Sequence, residues 1–164
     1  NMNEETRKNI LFVCTGNICR SQMAEKIFSE MIENINLNKI WSVESAGTNA
    51  FVGDRPLSQA EYVLREKGYG EFIDQTSKLV TEDLVAKSEI ILTMTETHRE
   101  AIIRAYPESE LKTFVLKEYV DCDTVDINIR DPFGMNKKDY EECADEVENA
   151  IKKLVDKLKE KNMS

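Results

Sequence analysis

Two patterns of apolar residues alternate along the chain: short continuous runs, and residues spaced by three and four. Their alternation predicts strands separated by helices. Short apolar runs typical of buried parallel strands fall at about 8–13, 40–44, 89–93 and 111–116. Apolar residues spaced by three and four predict amphipathic helices over about 21–35, 57–68, 82–87, 96–105 and 137–160. Because strand and helix alternate, we expect an α/β fold, a doubly wound parallel sheet with helices on both faces.

The first predicted strand is followed directly by a loop whose residues can bind an anion and act as a nucleophile. The sequence there is Cys14-Thr15-Gly16-Asn17-Ile18-Cys19-Arg20-Ser21, followed by an amphipathic helix. Helix N-termini attract anions through free N–H groups and the helix dipole, and this field also favours a thiolate. The loop can curl until the guanidinium of Arg20 and the sulfur of Cys14 meet one anion. We expect Cys14 as nucleophile and a phosphate-binding loop of Thr15, Gly16, Asn17, Ile18, Cys19, Arg20 and Ser21.

Two residues of this loop suit a tight curl. Gly16 is expected to adopt a positive φ, and Asn17 tolerates left-handed geometry, so that successive N–H groups turn inward. The alternative is an inert buried cysteine, because a cysteine and an arginine at this spacing also occur by chance. The preceding strand, the Gly-Asn pair, the Arg-Ser closure and the following helix together favour a functional anion loop.

The same segment, taken with Asp131-Pro132, resembles the low-molecular-weight protein tyrosine phosphatases. That family carries Cys-x5-Arg-Ser near its N-terminus and Asp-Pro near its C-terminus. The resemblance covers nearly the whole chain and implies one domain over residues 2–164 and the strand order 2-1-3-4. It implies catalytic roles for Cys14, Arg20 and Asp131, with Asp131 protonating the leaving group. Asp123 and Asp126 are nearby alternatives for the acid, but neither precedes a proline.

Supporting residues are also implied, each with a simpler alternative. Ser21 caps the helix or donates its hydroxyl to the sulfur of Cys14, two roles that one side chain can combine, and the resemblance favours the second. Ser45, expected in a turn after the second strand, resembles the family's serine that supports the loop asparagine, here Asn17; the alternative is an ordinary turn. Cys19 either packs in the interior or, as in the family, forms a reversible disulfide with Cys14.

The side chains around the phosphate are expected to select the substrate. Phe133, with Phe51 as a second candidate, would form an aromatic wall, although both could equally be local core residues. Ile18 matches the branch of the family that acts on phosphotyrosine, which has an aliphatic residue at this position. The arginine phosphatases carry threonine there. Thr15, His98 in Met94-Thr95-x-x-His98, and Phe133-Gly134 instead match the arginine branch. His98, the single histidine, is expected on the surface.

We therefore expect a protein tyrosine phosphatase that works through a cysteinyl phosphate, with protein-arginine phosphatase as the alternative. Arsenate reduction is a further alternative, but it requires two more cysteines on a mobile segment. A non-catalytic phosphate-binding module would not need Cys14, Arg20 and Asp131 together. The resemblance implies no metal or cofactor, a phosphorylated protein as substrate and inorganic phosphate as product.

Composition narrows the setting. The 164 residues carry a formal net charge of −9, which disfavours binding to nucleic acid or to an anionic membrane. The first ten residues are polar and the apolar runs are only of strand length, so we expect a soluble, cytoplasmic protein. The four cysteines are expected to be free thiols, and their spacing does not form a zinc pattern.

Overall fold

A computed structural model of the protein describes residues 6–122 and 124–163. Four strands form its sheet: β1 (Lys8–Cys14), β2 (Trp41–Gly47), β3 (Ser88–Thr93) and β4 (Thr113–Val115). The strand order is β2-β1-β3-β4, and every neighbouring pair is parallel. The predicted fold class and strand order are confirmed. Since β1 is flanked on both sides, its C-terminal end lies at the middle of the sheet edge, where doubly wound sheets bind ligands.

Within the described residues, six α-helices connect or follow these strands. They are α1 (Arg20–Asn34), α2 (Ser58–Glu66), α3 (Glu82–Lys87), α4 (Glu96–Ala105), α5 (Leu116–Tyr119) and α6 (Lys137–Met163), with 3₁₀ turns at Leu37–Lys39 and Pro107–Lys112. All five predicted helices are present. The predicted fourth strand, however, is too long: only Thr113–Val115 pairs with β3, because a 3₁₀ turn precedes it and α5 begins directly after it.

The sheet separates two hydrophobic cores, and successive residues of β1 point into opposite ones. Ile10 and Phe12 belong to the larger core, which α1, α2 and α6 cover. Leu11 and Val13 belong to the smaller core, whose other members include Leu84 and Val85 of α3, and Ile102 of α4. This confirms helices on both faces and explains why β1 reads as a continuous apolar run rather than an alternating one.

The second strand extends further than its sequence predicts. Residues Ser45 to Gly47 were expected in a turn, but they belong to β2, whose pairing with β1 continues to Cys14 opposite Gly47. Gly47 also bridges to Leu79 on its other side, which extends the strand geometry. As a result Ser45 lies on a rigid element directly beside the loop that follows β1.

Across residues 6–122 and 124–163, none of the helices combines the length and apolar character that crossing a membrane requires.

Candidate active site

A cavity of about 170 Å³ opens where the loop between β1 and α1 meets two later segments. It is lined by Cys14, Thr15, Gly16, Ile18, Cys19, Arg20, Leu57, Asp131 and Phe133. Six of these residues come from the predicted phosphate loop and its preceding cysteine, and the other three come from the start of α2 and the Asp-Pro segment. A larger cavity of about 380 Å³ lies beside it between α2 and α6, but neither Cys14 nor Asp131 reaches it.

Asn17, rather than Gly16, adopts the unusual backbone conformation of the loop. Its φ is 54°, in the left-handed region, whereas Gly16 does not have a positive φ. The expectation for Gly16 was therefore wrong, and that for Asn17 was right. A Cβ added at Gly16 would meet only the side chain of Ile18, at 3.6 Å. The curl is set by a buried asparagine whose side chain and carbonyl are both hydrogen-bonded.

The amide of Asn17 connects the sulfur of Cys14 to an acidic residue on α1. Its Nδ2 donates to Ser21 Oγ at 2.7 Å and to Ser45 Oγ at 2.9 Å. Its Oδ1 accepts from the Lys78 backbone N–H at 2.9 Å, which fixes the orientation of the amide. Ser45 in turn donates to Glu25 at 2.5 Å.

Asn17 leaves the Ser21 hydroxyl hydrogen available to the sulfur of Cys14. Nδ2 only donates, so Ser21 Oγ accepts from it, and towards a Cys14 thiolate, which can only accept, Ser21 gives its single hydrogen to Sγ at 2.9 Å. The capping position of α1 is Cys19, without a side-chain capping bond, so reading Ser21 as the helix cap was wrong. Ser21 therefore lies in the first turn with its hydroxyl directed at the sulfur.

Arg20 is held from a distant part of the chain. Its Nη1 donates to the backbone oxygen of Ile129 at 2.9 Å, and its Nη2 lies 3.7 Å from Asp131 Oδ2. The Arg20 side chain is 6% exposed, whereas that of Asp131 is 48% exposed. A fixed guanidinium and an accessible carboxylate thus face the same cavity. Of the two other candidate acids, Asp126 is exposed and does not line it, and Asp123 lies outside the described residues.

His98 is not on the surface, as the sequence had suggested, but 5% exposed against the loop. Its Nε2 lies 2.8 Å from Thr15 Oγ1, and its Nδ1 lies 3.0 Å from the hydroxyl of Thr95, the residue that caps α4. Burial, and then the positive charge of Arg20, lower the pKa of His98 to about 4, against a smaller opposing effect of Asp131. The imidazole is therefore neutral at physiological pH.

Comparison with known proteins shows the family of the chain. The family profile described as "Low molecular weight phosphotyrosine protein phosphatase" matches residues 9–164. The chain belongs to this family. A protein-arginine-phosphatase of Geobacillus stearothermophilus is 40% identical over 91% of this chain and 95% of its own length. A low molecular weight protein-tyrosine-phosphatase of Streptomyces coelicolor is 30% identical over 92% and 93%.

A solved structure shares the fold closely. An arginine phosphatase from Geobacillus stearothermophilus superposes with a TM-score of 0.84 and 36% identity, over 95% of this chain and 96% of that one. Family and relatives are protein phosphatases, tyrosine phosphatases among them, so this low molecular weight phosphatase is a hydrolase.

The phosphate loop is also held by residues that the sequence motifs did not indicate. Gln22 Nε2 and Ser77 Oγ donate to the Asn17 carbonyl oxygen, at 3.1 and 2.9 Å. Glu25, which accepts from Ser45, has a pKa raised by burial. Ser77 is sixty positions from Asn17, and no motif marks its segment. Glu25 carries one signal in retrospect, a carboxylate placed in the helix that directly follows the loop.

Of the three residues expected to select the substrate, two line the cavity. These are Ile18 and Phe133, whereas Phe51 is 78% exposed and does not line it.

Cys19 is a free, buried thiol, as is Cys14. A hydrogen bond with Cys143 of α6, followed by burial, raises the pKa of Cys19 well above its usual value. In this state Cys19 is a packing residue that joins the loop to α6.

Proposed function

We propose that the protein removes phosphate from phosphotyrosine in protein substrates. The observation that carries this proposal is the apolar wall around Cys14, formed by Ile18, Leu57 and Phe133. A flat aromatic ring fits between apolar side chains while its phosphate reaches the loop below. Guanidinium substrates would instead require polar partners at the position of Ile18.

The first step is attack of Cys14 Sγ on phosphorus. The Ser21 hydroxyl, 2.9 Å from the sulfur, stabilises its negative charge. Arg20 and the N–H groups of the loop hold the other phosphate oxygens, so that the sulfur, the phosphorus and the leaving oxygen lie in line. The same groups supply the charge stabilisation that kinases obtain from metal ions. As the P–O bond to the substrate breaks, Asp131 gives its proton to the leaving oxygen. The products are a cysteinyl phosphate and a tyrosine side chain.

The second step regenerates the enzyme. The Asp131 carboxylate accepts a proton from water, whose oxygen attacks phosphorus, and the P–S bond breaks. The electron pair returns to Cys14 Sγ, where the Ser21 hydroxyl again stabilises it, and inorganic phosphate leaves. One carboxyl group thus acts as acid and then as base, which its exposed position beside Arg20 allows.

Phosphoarginine is the second candidate substrate. The relative from Geobacillus stearothermophilus that is 40% identical is a protein-arginine-phosphatase, and the Thr15–His98 pair adds polar character to one side of the cavity. Arsenate reduction has weaker support, because Cys143, the thiol beside Cys19, lies within the regular helix α6.

The proposed setting is the cytoplasm. All four cysteines of the chain are free thiols, which suits a reducing compartment. The net charge of −9 gives the protein little affinity for nucleic acid or anionic membranes, so we propose phosphorylated proteins as its partners.

The deciding experiment compares kcat/KM on two peptides of one sequence, carrying phosphotyrosine or phosphoarginine. We expect the wild type to prefer phosphotyrosine. Ile18→Thr should shift the ratio toward phosphoarginine by about tenfold or more, the scale of one hydrogen bond. Ile73→Thr, the same change at an exposed residue outside the cavity, is the matched control. A wild type that prefers phosphoarginine would overturn the substrate assignment and leave the two-step chemistry in place.

A further inference from the structure

The single histidine is bonded to the phosphate loop through a side chain that lines the cavity. His98 lies between two threonines: its Nδ1 is 3.0 Å from Thr95 Oγ1, and its Nε2 is 2.8 Å from Thr15 Oγ1. Thr15 Oγ1 also accepts from Arg20 Nη2 at 3.4 Å. A line of hydrogen bonds therefore runs from the start of α4 to the guanidinium that faces the substrate.

Neutral imidazole has one donor and one acceptor nitrogen, so this line can be ordered in two ways. Thr95 Oγ1 already accepts the His98 backbone N–H at 3.2 Å as the cap of α4. If the Thr95 hydrogen goes to Nδ1, the proton of the ring lies on Nε2, which donates to Thr15. In the opposite order Nδ1 donates to Thr95, and Thr15 gives its own hydrogen to Nε2.

Only the first order suits a bound phosphate. Thr15 Oγ1 then accepts from both His98 and Arg20, and its hydroxyl hydrogen is left for the cavity that Cys14 and Arg20 share. In the second order that hydrogen is used within the protein, and a lone pair of Thr15 faces the anion. A lone pair opposite a phosphate oxygen is repulsive, whereas an O–H donor to it forms a charge-assisted hydrogen bond.

We propose that Thr15 is a side-chain ligand of the phosphate and that His98 is its positioning residue, holding the Thr15 hydroxyl toward the anion through an Nε2–H donor. The inference rests on the proposed function only in that the cavity binds a phosphate group. It holds for phosphotyrosine and phosphoarginine alike, because the phosphate is common to both.

The first test uses the wild-type protein. Since His98 is the single histidine of the chain, ¹⁵N chemical shifts of its ring in labelled protein report one imidazole without ambiguity. With saturating inorganic phosphate at pH 7 we expect a neutral ring protonated on Nε2, in agreement with its pKa of about 4. A ring protonated on Nδ1, or on both nitrogens, would overturn the proposal.

The second test measures competitive inhibition of the wild type and variants by inorganic phosphate. Thr15→Val removes the hydroxyl and should raise Ki by about tenfold to a hundredfold, the scale of one hydrogen bond to a charged group. Thr15→Ser keeps a hydroxyl and should stay within about threefold of the wild type. Thr97→Val, at an exposed position of α4, is the matched control. An unchanged Ki in Thr15→Val contradicts the proposal.

A double-mutant cycle separates positioning from general destabilisation. His98→Leu should weaken phosphate binding when Thr15 is present and have no further effect in Thr15→Val, because its influence passes through that hydroxyl. Equal losses in both backgrounds would contradict the positioning role. His98→Gln, which can still present an N–H to Thr15, should recover part of the binding, and thermal melting checks that each variant is folded. A wild type that does not hydrolyse phosphotyrosine would refute the proposed substrate and leave these phosphate-binding outcomes unchanged.

Discussion

At the scale of single residues, Asn17 decides the chemistry of the loop. It is fully buried, takes the left-handed backbone conformation, and orders the hydroxyls of Ser21 and Ser45 by donating to both. The Ser21 hydrogen is consequently available to the sulfur of Cys14. Of the proposed partners of Cys14, Arg20 has one hydrogen bond to the backbone and one to Thr15, and Asp131 is half exposed.

Asp131→Asn tests the proton-transfer role. The amide keeps the shape of the carboxyl group but cannot give up a proton, so turnover should fall by about a hundredfold to ten-thousandfold for aryl phosphates with basic leaving groups. Activated aryl phosphates should lose much less. Rates across a series of leaving groups provide the measurement, with Asp126→Asn as the control. Equal losses across the series would mean that Asp131 is not the acid.

Cys14→Ser tests the covalent step. Turnover should be abolished because the hydroxyl is a far weaker nucleophile, whereas phosphate or vanadate should still bind through Arg20 and the loop N–H groups. Binding is measured by calorimetry and turnover with an aryl phosphate. EDTA should leave the wild type unaffected. Activity lost with EDTA and restored by a metal ion would refute the mechanism.

At the scale of elements, the sequence predicts what local patterns control. The strands and helices follow from their apolar periods, and the loop follows from its position between β1 and α1. The end of β2 was wrong because its pairing with β1 and the bridge to Leu79 depend on segments far apart in sequence. The same reason hid His98: a polar residue near a helix start looks exposed until Thr15 packs against it.

Gly47→Ala tests how closely β2 fits the phosphate loop. A Cβ at Gly47 would lie 2.3 Å from the Thr15 carbonyl oxygen, which the Asn49 backbone N–H also holds, so the loop must move. We expect a loss of about 1–3 kcal/mol in the free energy of unfolding and a reduced kcat/KM. Gly70→Ala is the control, because a Cβ there meets only side-chain atoms at 3.4 Å or more. Similar stability of the two variants would contradict the close fit.

At the scale of the whole molecule, a chain of net charge −9 binds an anion by local means. The positive charge of Arg20 and the N-terminus of α1 lie together at one sheet edge, where they attract an anion in spite of the net negative charge. Burial, and then the positive charge of Arg20, lower the pKa of His98 and keep the ring neutral, so the active-site electrostatics also affect the stability of the fold.

Stability should depend on pH through His98. Its folded pKa of about 4 lies below the unfolded value of 6.5, so the unfolded chain takes up the proton first as the pH falls. The contribution of the neutral His98 ring to the free energy of unfolding is complete above pH 6.5 and is lost between pH 6.5 and about 4. Chemical unfolding of the wild type should show a decline larger by about 1–3 kcal/mol than that of His98→Gln over this range. Parallel pH profiles would contradict it.

The bond from Arg20 to the Ile129 carbonyl oxygen spans 109 positions of the chain. During synthesis on the ribosome, the phosphate loop emerges first, and β2 and the Ser77 segment that support it follow. The backbone anchor of the Arg20 guanidinium, the proposed acid Asp131 and helix α6 emerge more than a hundred residues after the loop. A nascent chain therefore exposes the proposed nucleophile Cys14 before it carries the anchor of Arg20 and the proposed acid, so we expect no turnover of a phosphoprotein until the chain extends past Asp131.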